Sequence, residues 1–213
     1  MTESLEQWLG REYAHAATAM LRSVSARELV KERAGFGQTV RPVSGSIVAS
    51  PALASWDPDP DYFFHWFRDS AIVIDAVRSL YESGHLGAEA LTHFSDFVRF
   101  SLSLQALDGR ALVERPHWRL KVLPEFVQYL RGDDLLLVSG DAVYADARVN
   151  PDGTLDISRW SRPQHDGPPL RALAVLRWLR ALRNRRASAT ETLSPARLAD
   201  AGGVLRVDLA LAR

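Results

Sequence analysis

Apolar residues along this chain recur mostly at helical spacing. Residues 4–22 place Leu5, Trp8, Leu9, Ala16 and Met20 at intervals compatible with one helical face, and "AGFGQ" then breaks the pattern. In "RDSAIVIDAVRSLYESG" Val73, Val77, Leu80 and Tyr81 stand at i, i+4, i+7 and i+8, and Gly84 ends the run, which predicts a second helix. Leu91, Phe94, Val98 and Leu102 predict a third over residues 88–107, antiparallel to the second across "SGHLG". Residues 168–185 predict a fourth, with Asp166 as its cap and Pro168 and Pro169 in the first turn, where proline costs least. "SPARLADAGGVLRVDLALAR" predicts a fifth, with Ser194 as N-cap, Pro195 at N1, and "AGG" as a point where it would kink or restart.

Two stretches break this rhythm. Prolines in and around "ASWDPDPDYFFHWF" forbid a helix there. Residues 108–166 follow no single period, and "LLLVSGDAVYADARV" has strand-like pieces, so the expectation is a long loop with short strands or hairpins, an excursion from a helical body. The fold class that results is all-α.

Composition narrows the function classes. With 213 residues, 46% of them hydrophobic and 24% charged, the chain has the make-up of an ordered globular protein, one domain or part of a larger one. Twenty-six basic residues balance 26 acidic ones, so nothing global draws it to nucleic acid or anionic lipid. Only Lys31 and Lys121 are lysines, and Arg177, Arg180, Arg183, Arg185 and Arg186 crowd "LRWLRALRNRR". From residue 170 onward nine arginines face three acids, a balance of +6 against −6 in residues 1–169. No nucleic-acid motif or aromatic stacking series accompanies that cluster, so it reads as a solvated face near a helix C-terminus. The absence of cysteine excludes disulfides and thiolate metal sites. "MTESLEQWLGREYAHAATAML" lacks a basic segment leading into an apolar core, and no apolar run reaches about 18 residues. The expectation is a cytoplasmic protein with neither a membrane nor a nucleic-acid partner.

Two polar clusters, "PDYFFHWFRDS" and "SRWSRPQHDGP", each end where a helix is predicted to begin, a natural place for a pocket. They supply Tyr62, Phe64, Trp66 and Trp160 as flat apolar surfaces, and Arg68, Asp69, Arg162, Gln164, His165 and Asp166 as hydrogen-bonding groups. A sugar presents an apolar C–H face and a rim of hydroxyls, which suits aromatic platforms beside Asp and Arg. Structural roles stand beside this reading: Asp69 as the N-cap of the second helix, Trp66 and Trp160 as core. His65 and His165 are not at metal-ligand spacing, and no G-x-S-x-G context supports a Ser/His/Asp triad. Neither a metal nor a cofactor is expected.

At these clusters the sequence resembles the glucoamylases and their bacterial relatives, inverting glycoside hydrolases that remove glucose from the non-reducing ends of α-glucans. "GSIVASP" and then "PDYFFHWFRDSAIV" are similar to the family's first signature, which ends in W-x-R-D-S. "RVNPDGTLDISRWSRPQHDGPPLRA" is similar to the second, W-x-R-P-Q-x-D-G-P-x-L-R-A. The resemblance covers essentially the whole chain and is weakest over residues 108–145. It implies a partial (α/α)6 barrel, about the first five of its helices. It also implies that Arg68 and Asp69 hydrogen-bond the terminal glucose, that Tyr62 and Trp66 line the same subsite, that Trp160 stacks at or near the next one, and that Arg162 and Asp166 shape the loop around it.

The family's mechanism needs two carboxyl groups about 6.5–9.5 Å apart on opposite faces of the sugar ring. The family places its acid in a W-E-E-like motif just beyond a helix that "VLRVDLALAR" resembles, and its base far downstream. Residues 1–213 are therefore expected to be the N-terminal portion of one catalytic domain, truncated before the general acid and inactive alone. The resemblance leads to two functions. One is an exo-acting α-glucosidase, present as a fragment, whose partner is an α-glucan or oligosaccharide. The alternative is a non-catalytic remnant or carbohydrate-binding protein. An open half-barrel would also leave apolar faces exposed, and these would favour self-association.

Overall fold

The computed structural model describes residues 3–52, 61–185 and 193–212. Residues 53–60 of the proline-rich stretch, Arg186, and the side chain of Arg185 lie outside the described residues. The long helices are α1 (Leu5–Leu21), α2 (Phe67–Glu82) and α3 (Glu89–Ser103), then, after a short α4 (Gly109–Glu114), α5 (Gly167–Arg185) and α6 (Pro195–Leu211). The five predicted helices are all present, within a residue or two at most ends, and the third finishes as a 3₁₀ turn over Leu104–Ala106.

Local chemistry sets their ends. Ser4 accepts from the Gln7 N–H at 3.2 Å while Gln7 accepts from the Ser4 N–H at 3.0 Å, a reciprocal capping box that starts α1. Gly84, at φ +79°, closes α2 in the left-handed region. Ser194 caps α6 through the Arg197 N–H at 3.4 Å, with Pro195 at N1. The predicted break in α6 does not occur: the helix runs unbroken through Gly202 and Gly203. A Cβ on Gly203 would already lie 3.4 Å from Leu102 Cδ2, so the small residues let α6 lie close against α3.

Trp178 of α5 sits at the centre of the core, fully buried, its ring stacked on Phe94 at 4.7 Å and on Tyr81 at 5.7 Å. Its Nε1 donates to the Ile74 carbonyl at 2.8 Å, which satisfies the one polar atom of a buried indole. α2 buries Ile74, Val77 and Tyr81 around it, and α3 buries Leu91, Phe94, Phe97 and Val98. Val73 and Leu102 pack only partly against this cluster. Between α5 and α6, Arg171 grips Asp208 with two bonds, Nε to Oδ2 at 2.9 Å and Nη2 to Oδ1 at 2.6 Å, both residues buried.

The excursion holds an expected short strand at Arg148–Val149, bridged from Val149 to Leu155, but its first part takes another form. Instead of hairpins, residues 108–146 run through α4 and 3₁₀ turns at Pro116–Lys121, Pro124–Tyr129, Asp133–Leu137 and Gly140–Ala145. Pro116 and Pro124 each open a turn with φ already fixed and no N–H to give a ladder. Strand pairing there shrinks to single bridges such as Asp108 with Ser139 and Leu130 with Ser158. The hairpin lies elsewhere: β1 (Lys31–Arg33) pairs antiparallel with β2 (Gln38–Val40) around Gly37 at φ +61°, where the sequence showed only a break.

Two contacts bring the distant motifs together. β3 (His65–Trp66) pairs antiparallel with β4 (Arg148–Val149), setting Trp66 opposite Arg148. The start of α5 abuts the start of α2, and a Cβ on Gly167 would come within 2.7 Å of Phe67 Cβ, too close for any side chain. Both helices therefore begin at the same end of the molecule.

Apolar surface stays uncovered, as expected, at Ile72 of α2, Leu173 and Leu176 of α5, and Leu209 of α6. α1 buries no residue at all, and Leu5, Trp8 and Leu9 of its predicted apolar face are exposed. Of the basic segment, Arg177, Arg180 and Arg183 are all exposed, and Arg177 also reaches Asp75 at 2.6 Å. Among the described residues no helix is long and apolar enough to cross a membrane.

Candidate functional site

Three aromatic rings converge above the starts of α2 and α5. The centroids of Tyr62 and Trp66 are 5.6 Å apart, those of Trp66 and Trp160 5.4 Å, and those of Tyr62 and Trp160 6.4 Å. Trp66 is only 3% exposed and forms the floor, while Tyr62 at 43% and Trp160 at 36% form the rim. The core reading thus describes Trp66, and Trp160 is a surface ring. Phe64, read from the sequence as another flat surface, is buried and faces inward, with an arginine guanidinium 3.8 Å from its ring centroid. His65 is buried as well, its Nδ1 accepting from the Ile47 N–H at 3.0 Å.

Polar groups gather beside the rings. Trp66 occupies the N-cap position of α2, so the structure does not support a capping role for Asp69, which instead lies in the first turn, where the helix dipole favours a carboxylate. Arg68 places Nε 3.4 Å from Asp69 Oδ2 and Nη1 3.3 Å from Asp166 Oδ2, so it spans the two motifs. The Asp166 backbone carbonyl accepts from the Leu170 N–H at 3.2 Å as α5 begins, and its side chain turns to Arg68. Asp69 Oδ2 is buried yet accepts no hydrogen bond from the described residues. Asp69 borders a cleft of about 240 Å³ whose other wall includes Ser23, just after α1, and Val48, Ala49 and Pro51 of the small-residue run. Gln164 Oε1 is also buried and without a donor among the described residues, and His165 is exposed. Among the described residues no three His, Asp or Glu side chains cluster as a metal-holding group.

Arg162 faces inward. Its Nη2 meets Asp156 Oδ2 at 2.7 Å, its Nη1 meets the Ser158 carbonyl at 3.2 Å, and its Nε pairs with Asp146. Asp156 also takes Arg148 Nε at 2.7 Å and the Ser158 hydroxyl at 2.6 Å, and Asp146 takes Arg131 Nη1 at 2.7 Å. Burial pushes the Asp156 carboxyl up, but Arg148, Arg162 and the Ser158 hydroxyl more than reverse this and hold it at about 2. Arg162 is thus placed to brace the loop that carries Trp160 and not to reach outward. The "PDGT" turn feeding the loop is closed by Asp152, which accepts from the Thr154 N–H at 2.9 Å, and by Gly153 at φ +85°.

Arg148, Asp146, Asp156, Arg131 and Arg33 escaped the sequence reading. Where all but two basic residues are arginine, nothing in the residue type marks a buried one. The alternation in "LDIS", which sets Asp156 and Ser158 on one side of an extended segment, was the signal available.

With this geometry, the class of protein emerges from comparison. The family model for glycosyl hydrolases family 15 matches residues 24–103, a span that includes Tyr62, Trp66, Arg68 and Asp69. The glucoamylase resemblance read from the two motifs is shown by similarity to named relatives as well. Glucoamylase S1 of Saccharomyces cerevisiae is 24% identical over 176 residues, 83% of this chain and 18% of the relative. Glucoamylase-1 of Arthroderma benhamiae is 30% identical over 138 residues, 63% of this chain and 18% of the relative. The solved glucoamylase from Saccharomycopsis fibuligera superimposes with a TM-score of 0.62 at 21% identity, covering 98% of this chain and 37% of that one. The fold is accordingly an all-α, partial α/α barrel of the glucoamylase type. The chain spans about a fifth of the length of the first curated relatives it matches.

Proposed function

We propose that this chain is the sugar-recognition part of an α-glucan-acting glycoside hydrolase that releases glucose from non-reducing ends with inversion. The observation that carries the reading is Asp69 Oδ2, unpartnered among the described residues and beside Arg68, three positions along the chain from Trp66 of the aromatic triad. Asp69 and Arg68 would accept from and donate to the hydroxyls of a terminal glucose, and the rim rings would cover apolar sugar faces. Asp166 would hold Arg68 in place, and Arg162 would keep the second loop in shape.

Proton transfer needs other carboxyl groups. The buried carboxylates among the described residues, Asp61, Asp146, Asp156 and Asp208, each sit against a guanidinium. A carboxylate held in such a pair is placed to accept hydrogen bonds, not to protonate a glycosidic oxygen. The general acid and base are therefore assigned outside these residues. The same observation favours a second reading, a carbohydrate-binding protein that performs no hydrolysis.

Titration with maltose and maltotriose, monitored by tryptophan fluorescence, tests recognition, and glucose release from maltose and soluble starch tests turnover. A saturable response without turnover is expected, with the response weakened in Asp69→Asn. Steady turnover that disappears in Asp69→Asn would place a working carboxyl pair inside these residues and overturn the assignment of acid and base. No response to either sugar would overturn the recognition reading.

A further inference from the structure

Phe64 carries a guanidinium on each face. Cζ of Arg33 and Cζ of Arg148 both lie 3.8 Å from its ring centroid. At that distance a planar cation sits almost over the ring centre, and two of them fit only on opposite sides. Arg148 in turn lies 4.3 Å from the Trp160 ring centroid and 4.6 Å from that of Trp66. The result is an alternating stack, Arg33 then Phe64 then Arg148 then Trp160, that begins in the interior and ends at the exposed rim.

Each cation in the stack is locked from the side. Arg33 holds Asp61 Oδ2 at 2.5 Å, Asn150 Oδ1 at 2.7 Å and the Phe63 carbonyl at 2.7 Å. Arg148 holds Asp156 Oδ2 at 2.7 Å and the Ser158 hydroxyl at 3.0 Å, and the β3–β4 register fixes its backbone opposite Trp66. It is fully buried, and its Nη1 has no hydrogen-bond partner among the described residues. An unmade hydrogen bond on a buried cation is costly unless the faces of the group are used, and here aromatic rings fill them.

We propose that Arg148 is a positioning residue for the Trp160 platform, setting the plane of that ring through face-to-face contact with its guanidinium. Among the described residues, the other aromatic neighbours of Trp160 meet it edge-on, at 76° to Trp66 and 78° to Tyr62. Edge contacts let a ring swing about its χ angles, whereas a flat cation pinned to Asp156 fixes its tilt. This inference rests on the reading of Trp160 as a sugar-stacking surface.

Arg148→Lys is the informative variant, because it keeps a charge near Asp156 and removes the plane. Trp160→Phe and Trp160→Ala are the references. The first readout needs no sugar: near-ultraviolet circular dichroism of the coupled Trp66 and Trp160 indoles, defined as the signal lost in Trp160→Phe. The second is the maltotriose titration. Arg148→Lys should unfold cooperatively like the parent, lose most of the coupled signal, and bind maltotriose roughly three- to tenfold more weakly, the range expected for a cation–π contact. In a Trp160→Phe background the same substitution should weaken binding no further.

An Arg148→Lys protein that keeps the indole signal, or loses it while binding maltotriose like the parent, would overturn the positioning role and leave the sugar reading intact. Unchanged binding in Trp160→Ala would overturn the sugar reading itself, and this inference with it. Should Arg148→Lys fail to fold, Arg33→Lys, one layer deeper, gives the same two readouts.

Discussion

Arg68 and Asp166, 98 positions apart in the chain, meet with Nη1 3.3 Å from Oδ2 where α2 and α5 begin side by side. The pair is half-exposed, so water screens it, and contacts of this kind add about 0–1 kcal/mol to stability. Its value lies in aiming the Arg68 fork. Asp166→Ala should leave the thermal midpoint within a few degrees of the parent and weaken maltose binding severalfold. Calorimetric unfolding and a fluorescence titration on the same preparation would decide it, and a large drop in midpoint would show that the pair supports the fold instead.

Asp69→Asn separates ligand from scaffold. Asparagine keeps the size and the ability to sit in a first helical turn, but loses charge-assisted bonds to hydroxyls worth roughly 1.5–3 kcal/mol. Because Asp69 makes no capping bond, stability should change little, while sugar affinity should fall on the order of tenfold to a hundredfold. Parent-like affinity in a well-folded variant would remove Asp69 from the recognition site.

The sequence was most legible where one period governed a whole segment. The i, i+4, i+7 spacing in α2 and the run Leu91, Phe94, Val98 in α3 located helices whose inward faces are those residues and their neighbours. The same logic found α1 but could not tell that Leu5, Trp8 and Leu9 stay uncovered while Met20 packs on the core, because periodicity reports amphipathicity and not the presence of a partner. The two aromatic motifs were legible because Trp, Arg, Asp and Pro cluster there, and the fold brings Tyr62, Trp66 and Trp160 together as that clustering suggested. What lay beneath them was not. The Asp156, Arg148 and Arg162 triangle depends on β3 pairing with β4 across more than eighty residues, and pairings of that kind leave no local trace. The 3₁₀ turns of the excursion were missed for a related reason: each is too short to show a period.

Trp160 and Trp178 should respond oppositely to truncation. Trp178 is fully buried, stacked on Phe94 and Tyr81 and bonded to the Ile74 carbonyl, so Trp178→Ala should cost about 3–5 kcal/mol or prevent folding. Trp160 is 36% exposed and should cost well below that range, with sugar response lost. Urea titrations of the two variants test the contrast. A core-like loss for Trp160→Ala would make it a structural residue.

His65 gives the fold an acid sensitivity of determined sign. Burial, with Arg171 nearby, drives its pKa from the ordinary 6.5 to about 3. Since Ile47 donates to Nδ1, the ring is neutral with its proton on Nε2, which has no partner among the described residues. The unfolded chain takes up a proton at this residue below pH 6.5 and the folded chain does not, so stability is full above that value and is lost as pH falls toward 3. The slope is about 1.4 kcal/mol per pH unit from this one group. Asp156, held at about 2, adds loss in the same direction only below its ordinary 3.8, and His93, lowered by burial, acts in the same direction as His65. His65→Gln keeps an acceptor for Ile47 but cannot titrate. Urea unfolding between pH 7 and 4 should therefore show a slope shallower by close to one proton in the variant, with the His93 contribution unchanged. Equal slopes in the two proteins would mean that His65 is protonated inside the fold, and that its buried ring has a partner for Nε2 in solution.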